Sequence, residues 1–180
     1  MFNLCTAVKR AYNIGVLGGA SPLEKYLKIA ERVGELIAKS GNILINGGLS
    51  GVMEYAAKGA YEAGGVVVGI LPGYDHREAN SYTTIRIPTG IGFARNFLII
   101  RACHSLIAID CSNGTISESS FAISEGKSVI SLDSIELKPK REREGSFIVA
   151  HEPEDAVEKA IREAEKISQK EVDKNDSFKE

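Results

Sequence analysis

Long apolar runs are missing from this chain. Its most continuous stretches, such as residues 65–71, fall far short of the roughly 20 residues a membrane helix requires. The N-terminus also lacks the charged-then-apolar pattern of a secretory leader. A soluble, cytoplasmic protein with no membrane partner is expected. Cysteine is scarce: Cys5, Cys103 and Cys111 are widely separated and odd in number, which argues against a disulfide framework or a zinc knuckle and predicts reduced thiols. His76, His104 and His151 stand apart without metal-ligand spacing, and no metal site is expected. Charge of one sign is lacking too. Lysine and arginine number 22 against 24 aspartates and glutamates, a net charge of −2, so no nucleic-acid partner is expected. Neither the G-x-G-x-x-G fingerprint nor the G-x-x-x-x-G-K-[ST] loop occurs, which removes support for hydride transfer and ATP hydrolysis.

What is present is a regular alternation. The chain has 180 residues, 43% of them apolar, enough for one sizeable core. Segments rich in β-branched and aliphatic residues alternate with segments whose apolar positions recur at helical spacing, the pattern of parallel βαβ units. The spacing predicts strands at 12–18, 42–46, 66–71, 83–87, 105–110, 128–132 and 147–150. Helices are predicted at 51–63, 91–103, 115–125 and from 153 to about 167, and a first helix ends near 39. Ser21, Pro22 and Glu24 read as N-cap, first helical residue and capping box of that first helix. Leu27, Ala30, Val33, Leu36 and Ile37 form its buried stripe, with Gly41 ending it. The expected fold is a Rossmann-like three-layer α/β/α domain over 1–167, with a mostly parallel sheet and a polar, frayed tail over 168–180. Residues 135–144 are an exposed charged excursion, and no internal repeat is visible.

Three glycine-containing turns each follow a strand and precede a helix. They are Gly18-Gly19-Ala20, Gly47-Gly48-Leu49-Ser50-Gly51 and Asn113-Gly114-Thr115. In a parallel sheet they share one edge, where glycine allows close backbone approach and helix starts attract phosphate. These residues are the expected ligand-binding set; the alternative is that the glycines merely permit tight turns. Asp75, His76 and Arg77 lie in a polar loop at the same edge, either rimming the ligand or simply solvated.

The stretches "GGLSGVMEYAAKGAYEAGGVVVGILPG" (47–73), "IPTGIGFARN" (87–96) and "NGTISE" (113–118) together resemble the molybdenum cofactor carrier protein family. That family is related to the LONELY GUY-type phosphoribohydrolases, often labelled lysine decarboxylase-like. The resemblance runs in order from about residue 12 to 132. It implies a Rossmann-like, usually homo-oligomeric protein. Its ligand would be the molybdenum cofactor in a carrier, or a nucleoside 5′-monophosphate in a hydrolase, and no resident cofactor is required. Aligned on the hydrolase signature P-G-G-x-G-T-x-x-E, Glu118 falls on the catalytic glutamate and Arg95 on the catalytic arginine. Where that signature has P-G-G, this chain has Asp110-Cys111-Ser112.

A carboxylate beside a ribose stabilises the positive charge that develops as a base departs, and an arginine holds a phosphate bidentately. Other readings of the same residues stand beside these. Thr115 and Glu118 are also spaced as a capping box, and Arg95 as a surface ion-pair partner. Cys111 is either a reactive thiol before a helix start or an ordinary turn cysteine. No lysine is placed for the Schiff base a pyridoxal-dependent decarboxylase needs. Three function classes remain: a carrier, a phosphoribohydrolase cleaving an N-glycosidic bond, and a scaffold whose site has decayed. The apolar segment 97–103 carries more hydrophobic surface than one sheet face requires, which points to a subunit contact as well as core.

Overall fold

The structure, a computed structural model, describes residues 10–134, 137–139 and 143–177, of which 170–177 are described by backbone only. Cys5 and residues 135, 136 and 140–142 of the charged excursion lie outside the described residues. The strands are β1 (Asn13–Leu17), β2 (Ile43–Asn46), β3 (Val67–Leu71), β4 (Ile85–Pro88), β5 (Ser105–Ile109), β6 (Ser128–Leu132) and β7 (Phe147–Ala150). The helices are α1 (Glu24–Lys39), α2 (Val52–Glu62), α3 (Asn96–Ala102), α4 (Asn113–Ser124) and α5 (Pro153–Ser177).

The strands form one sheet in the order β4-β3-β2-β1-β5-β6-β7, and every neighbouring pair is parallel. Burial dictates this. All five residues of β5 and of β6 are buried, so both faces must be covered, which is the condition of parallel sheets. One face carries α1, α2 and α5, whose alanines and valines pack on Ile14, Val16, Ile107 and Ile130. The other carries α3 and α4, which bury Ile99, Ile100, Ala122 and Ile123 on Leu17, Leu106 and Val129. The three-layer Rossmann-like expectation holds. From the central β1 the chain winds outward to β4, then returns to build β5 to β7 on the other side. The order therefore reverses between β1 and β5, and a crevice at the strands' carboxyl ends is the geometric result.

Four local expectations change. First, α1 starts at Glu24 with Leu23 as N-cap and no side-chain cap, so Ser21 and Pro22 do not open it. The preceding segment is held elsewhere: the Val52 amide donates to the Gly19 carbonyl at 3.0 Å, and Ser50 Oγ to the Ala20 carbonyl at 3.2 Å. Second, the helix expected over 91–103 is a 3-10 turn, Gly92–Arg95, followed by α3. Gly90 and Gly92 there have φ of 68° and 59°, outside the right-handed helical region. Third, α4 starts at Asn113 rather than Thr115. Fourth, α5 continues past 167 to Ser177. Its described part carries ion pairs at helical spacing, Lys159–Asp155 and Arg162–Glu158, so a polar surface is compatible with helix there. Ser168, placed by sequence in the tail, is buried and accepts from Arg10 Nη1 at 2.8 Å.

Candidate functional site

The loops after β1, β2 and β5 reach the same edge of the sheet, as their strand-to-helix position requires. The first two are locked together: a Cβ on Gly18 would lie 2.3 Å from the Val52 side chain, and one on Gly51 would lie 2.4 Å from the Gly19 carbonyl. Gly51, at φ 68°, also needs the left-handed region.

The backbone amides of these loops divide into two groups. Several are satisfied inside the protein: Gly19 by Asp110 Oδ2 at 2.8 Å, Gly48 by Asn46 Oδ1 at 2.8 Å, and Thr115 by Ser112 Oγ at 3.2 Å. The first-turn N–H groups of α4 on Asn113 and Gly114, both exposed, have no partner among the described residues. They are what a helix start leaves open for an anion. Ala20 and Ser50 are likewise exposed at the rim.

Arg95 and Glu118, far apart in sequence, meet beneath this edge. Arg95 closes the 3-10 turn and Glu118 sits in the second turn of α4, with Arg95 Nη1 3.6 Å from Glu118 Oε1. Both are buried, Arg95 at 5% and Glu118 at 8% exposure, so Arg95 is not a solvated surface pair. Glu118 does not cap either, because the N-cap of α4 is Ser112. Arg95 also donates to Asn96 Oδ1. Its Nη2 lies against Gly47, where a Cβ would approach within 2.4 Å. Arg95 Nε and the Ser119 hydroxyl are buried and have no hydrogen-bond partner among the described residues.

Burial dominates the protonation of this pair. It pushes the Glu118 carboxyl up to about 7, with Arg95 pulling the other way. Burial likewise lowers the Arg95 guanidinium, opposed by Glu118. A carboxyl that exchanges its proton near neutrality, beside a guanidinium with an unused donor, can bind an oxyanion and hold or move a proton.

The third loop departs from a glycine cradle. Asp110, buried, adopts φ 73°, and its Oδ1 accepts from the Ser112 amide at 3.0 Å and the Thr115 hydroxyl at 2.9 Å. Cys111 beside it is exposed. Cys103 is buried in the core, which pushes its thiol up to about 12. Asp75 caps the short turn His76–Glu78 and pairs with Arg77. No cluster of metal-ligating side chains occurs among the described residues.

Hollows flank two of the loops. One of about 400 Å³ is lined by Leu49, Ser50, Glu54, Glu78, Ala79 and Asn80. Another of about 340 Å³ runs along α4 between Asn113 and Ser124. A third, of about 420 Å³, lies on the outer α1–α2 surface beside Glu31 and Glu62, away from the glycine loops. Sequence reasoning missed the packing of Arg95 on Gly47 and the bond the Gly19 amide donates to Asp110. Its only signal for the latter was the acidic residue in place of proline. No helix among the described residues is long and apolar enough to cross a membrane.

Comparison with known proteins places this geometry in context. An uncharacterized protein of Archaeoglobus fulgidus is 47% identical over 148 residues, covering 82% of this chain and 93% of its own. The molybdenum cofactor binding protein of Rippkaea orientalis has 34% identity and a TM-score of 0.75, covering 83% of this chain and 94% of that one. The molybdenum cofactor carrier protein of Chlamydomonas reinhardtii has 34% identity and a TM-score of 0.76, over 86% of this chain and 98% of that one. The resemblance drawn from the sequence motifs therefore extends to the whole fold. Matched over residues 11–157, this chain belongs to the SLOG cluster4 family.

Proposed function

We propose that the chain is a binding protein for a small phosphorylated ligand of the molybdenum cofactor class, taken up at the carboxyl edge of the sheet. The observation that carries this reading is the buried Arg95 guanidinium, which has an unpartnered Nε, lies against Gly47 and faces Glu118. A buried donor without an acceptor costs about 1–3 kcal/mol; an oxyanion reaching it recovers that cost. The open amides of Asn113 and Gly114 supply further donors. The carboxylates of Glu54 and Glu78 in the hollow beside Leu49 repel phosphate there, so that hollow suits the uncharged part of a ligand. The carrier neighbours at 34% identity support the ligand class.

Native mass spectrometry of the freshly purified protein tests the reading. It predicts a retained mass matching a phosphorylated pterin and its loss in Arg95→Met. A chain that retains nothing and takes up neither a pterin phosphate nor a nucleoside monophosphate in calorimetry overturns it.

A second reading, hydrolysis of a nucleoside 5′-monophosphate, is favoured by one arrangement: Glu118 is buried 3.6 Å from Arg95, and burial pushes its carboxyl up to about 7, suiting it to general acid–base work. Release of free base from a panel of nucleoside monophosphates, abolished in Glu118→Ala, supports it; no release rejects it.

We also infer a homo-oligomer. Phe97 of α3 and Phe121 of α4 meet at 4.6 Å between ring centroids on an exposed surface, and the exposed residues of α4 there, Asn113, Ser117, Ser120 and Ser124, carry no charge. An uncharged patch with two aromatic rings at its centre can meet its own copy across a two-fold axis without opposing like charges, which makes a second copy its fitting occupant.

A further inference from the structure

Asp110 stands at the point where the strand order reverses. Its backbone is left-handed at φ 73°, a conformation that aspartate tolerates better than most side chains. Its carboxylate is held from both sides of the reversal. Oδ2 accepts the Gly19 amide, from the loop after β1, at 2.8 Å. Oδ1 accepts the Ser112 amide at 3.0 Å and the Thr115 hydroxyl at 2.9 Å, from the loop and first turn after β5. Converging loop amides and a hydroxyl beside a helix start are the donors that a bound phosphate receives in open α/β sheets. Here they are spent on a side chain that is 4% exposed. Gly19 packs directly on it, since a Cβ there would lie 2.7 Å from Asp110 Oδ2.

We infer that Asp110 is a specificity determinant: its carboxylate occupies, from within the chain, the oxyanion position at the β1–β5 reversal. It excludes a ligand's phosphate from that position and confines it to the side of the crevice formed by Arg95, Asn113 and Gly114. The second half of this inference rests on the ligand reading above, whereas the exclusion stands on the hydrogen bonds alone. A second negative group cannot share the Gly19 and Ser112 amides with the carboxylate, because both donors and space are taken and like charges repel.

Amide-resolved NMR titration of the full chain with inorganic phosphate tests this. In the native protein the Gly19 and Ser112 amide signals stay fixed. In Asp110→Gly, which accepts the left-handed backbone freely and releases both amides, those two signals shift and saturate. The affinity they report is at least about tenfold tighter than anything read there in the native chain, the scale of one charge-assisted hydrogen bond. Signals that stay fixed in a folded Asp110→Gly, or that move equally in the native chain, overturn the inference. Should Asp110→Gly lose its dispersed spectrum, Asp110→Ser carries the same readout, since its shorter side chain vacates the carboxylate position and removes the charge; fixed Gly19 and Ser112 signals in that folded variant also overturn the inference. The ligand reading has its own signals in the same titration, the Asn113 and Gly114 amides and their response to Arg95→Met. Failure of one arm is thus separable from failure of the other.

Discussion

A carboxyl group whose affinity for its proton rises on folding stabilises the fold most when that proton is bound. Glu118 goes from its ordinary value of 4.5 to about 7, chiefly through burial. The folded state thus binds the proton more tightly than the unfolded one. The contribution is full below about pH 4.5 and is lost as pH rises through about 7. Urea unfolding midpoints between pH 5 and 8 are expected to fall less steeply in Glu118→Gln than in the native protein; identical slopes rule this origin out. Arg95 pulls against burial, so Arg95→Met is expected to raise the carboxyl titration above about 7, as read by carbon-13 NMR of the Glu118 side chain. Motif alignment singled out both residues but not their surroundings. The unpartnered Nε and the contact with Gly47 arise from turns after β2 and β4 meeting in space, which no linear spacing encodes.

Helix against helix, the closest approach is α1 on α2. A Cβ on Gly34 would lie 1.9 Å from the Ala56 carbonyl oxygen, and one on Gly59 would lie 1.9 Å from the Glu31 carbonyl oxygen. The obstacle in each case is backbone, which cannot swing aside. Alanine gains about 1 kcal/mol in helix propensity over glycine, whereas overpacking of this kind costs up to about 3 kcal/mol, and the clash wins. Gly34→Ala is therefore expected to lower stability by about 2 kcal/mol in denaturant melts. Gly41 differs: it ends α1 at φ 77° with open space around it. Gly41→Ala is expected to cost only the left-handed penalty of about 1 kcal/mol. Equal losses at both positions would contradict the assignment of backbone contact. Elements were legible where periodicity was strong, as in β6 and β7, whose bounds match the expected 128–132 and 147–150. Helix starts were legible less well. Ser21 looks like a cap, yet the segment around it is bonded to the loop after β2, so tertiary hydrogen bonds overrode a local signal.

Across the whole molecule, apolar surface is unevenly spread. Phe93 is 86% exposed, and Ile91, Leu98 and Phe121 are also open on the α3–α4 side, beside the Arg101–Glu125 ion pair, whereas α1 and α5 carry several ion pairs such as Arg32 with Glu154. Sedimentation at micromolar concentration is expected to show an oligomer, reduced in mass by the double change Phe97→Ser and Phe121→Ser; a native monomer rejects the proposed interface. The parallel sheet was legible from the alternation of strand and helix patterns, because a parallel connection requires a crossover between strands. Strand order was not, since it depends on which side of β1 the chain returns to after β4. The glycine contacts between the β1 and β2 loops have a mechanical corollary. With Gly18 under Val52, Gly51 against the Gly19 carbonyl, and the helices that follow in backbone contact, that lip of the opening behaves as one stiff plate. The segment leading to Arg95 has no such lock: Tyr74 lies over Gly90, and two left-handed glycines break its path.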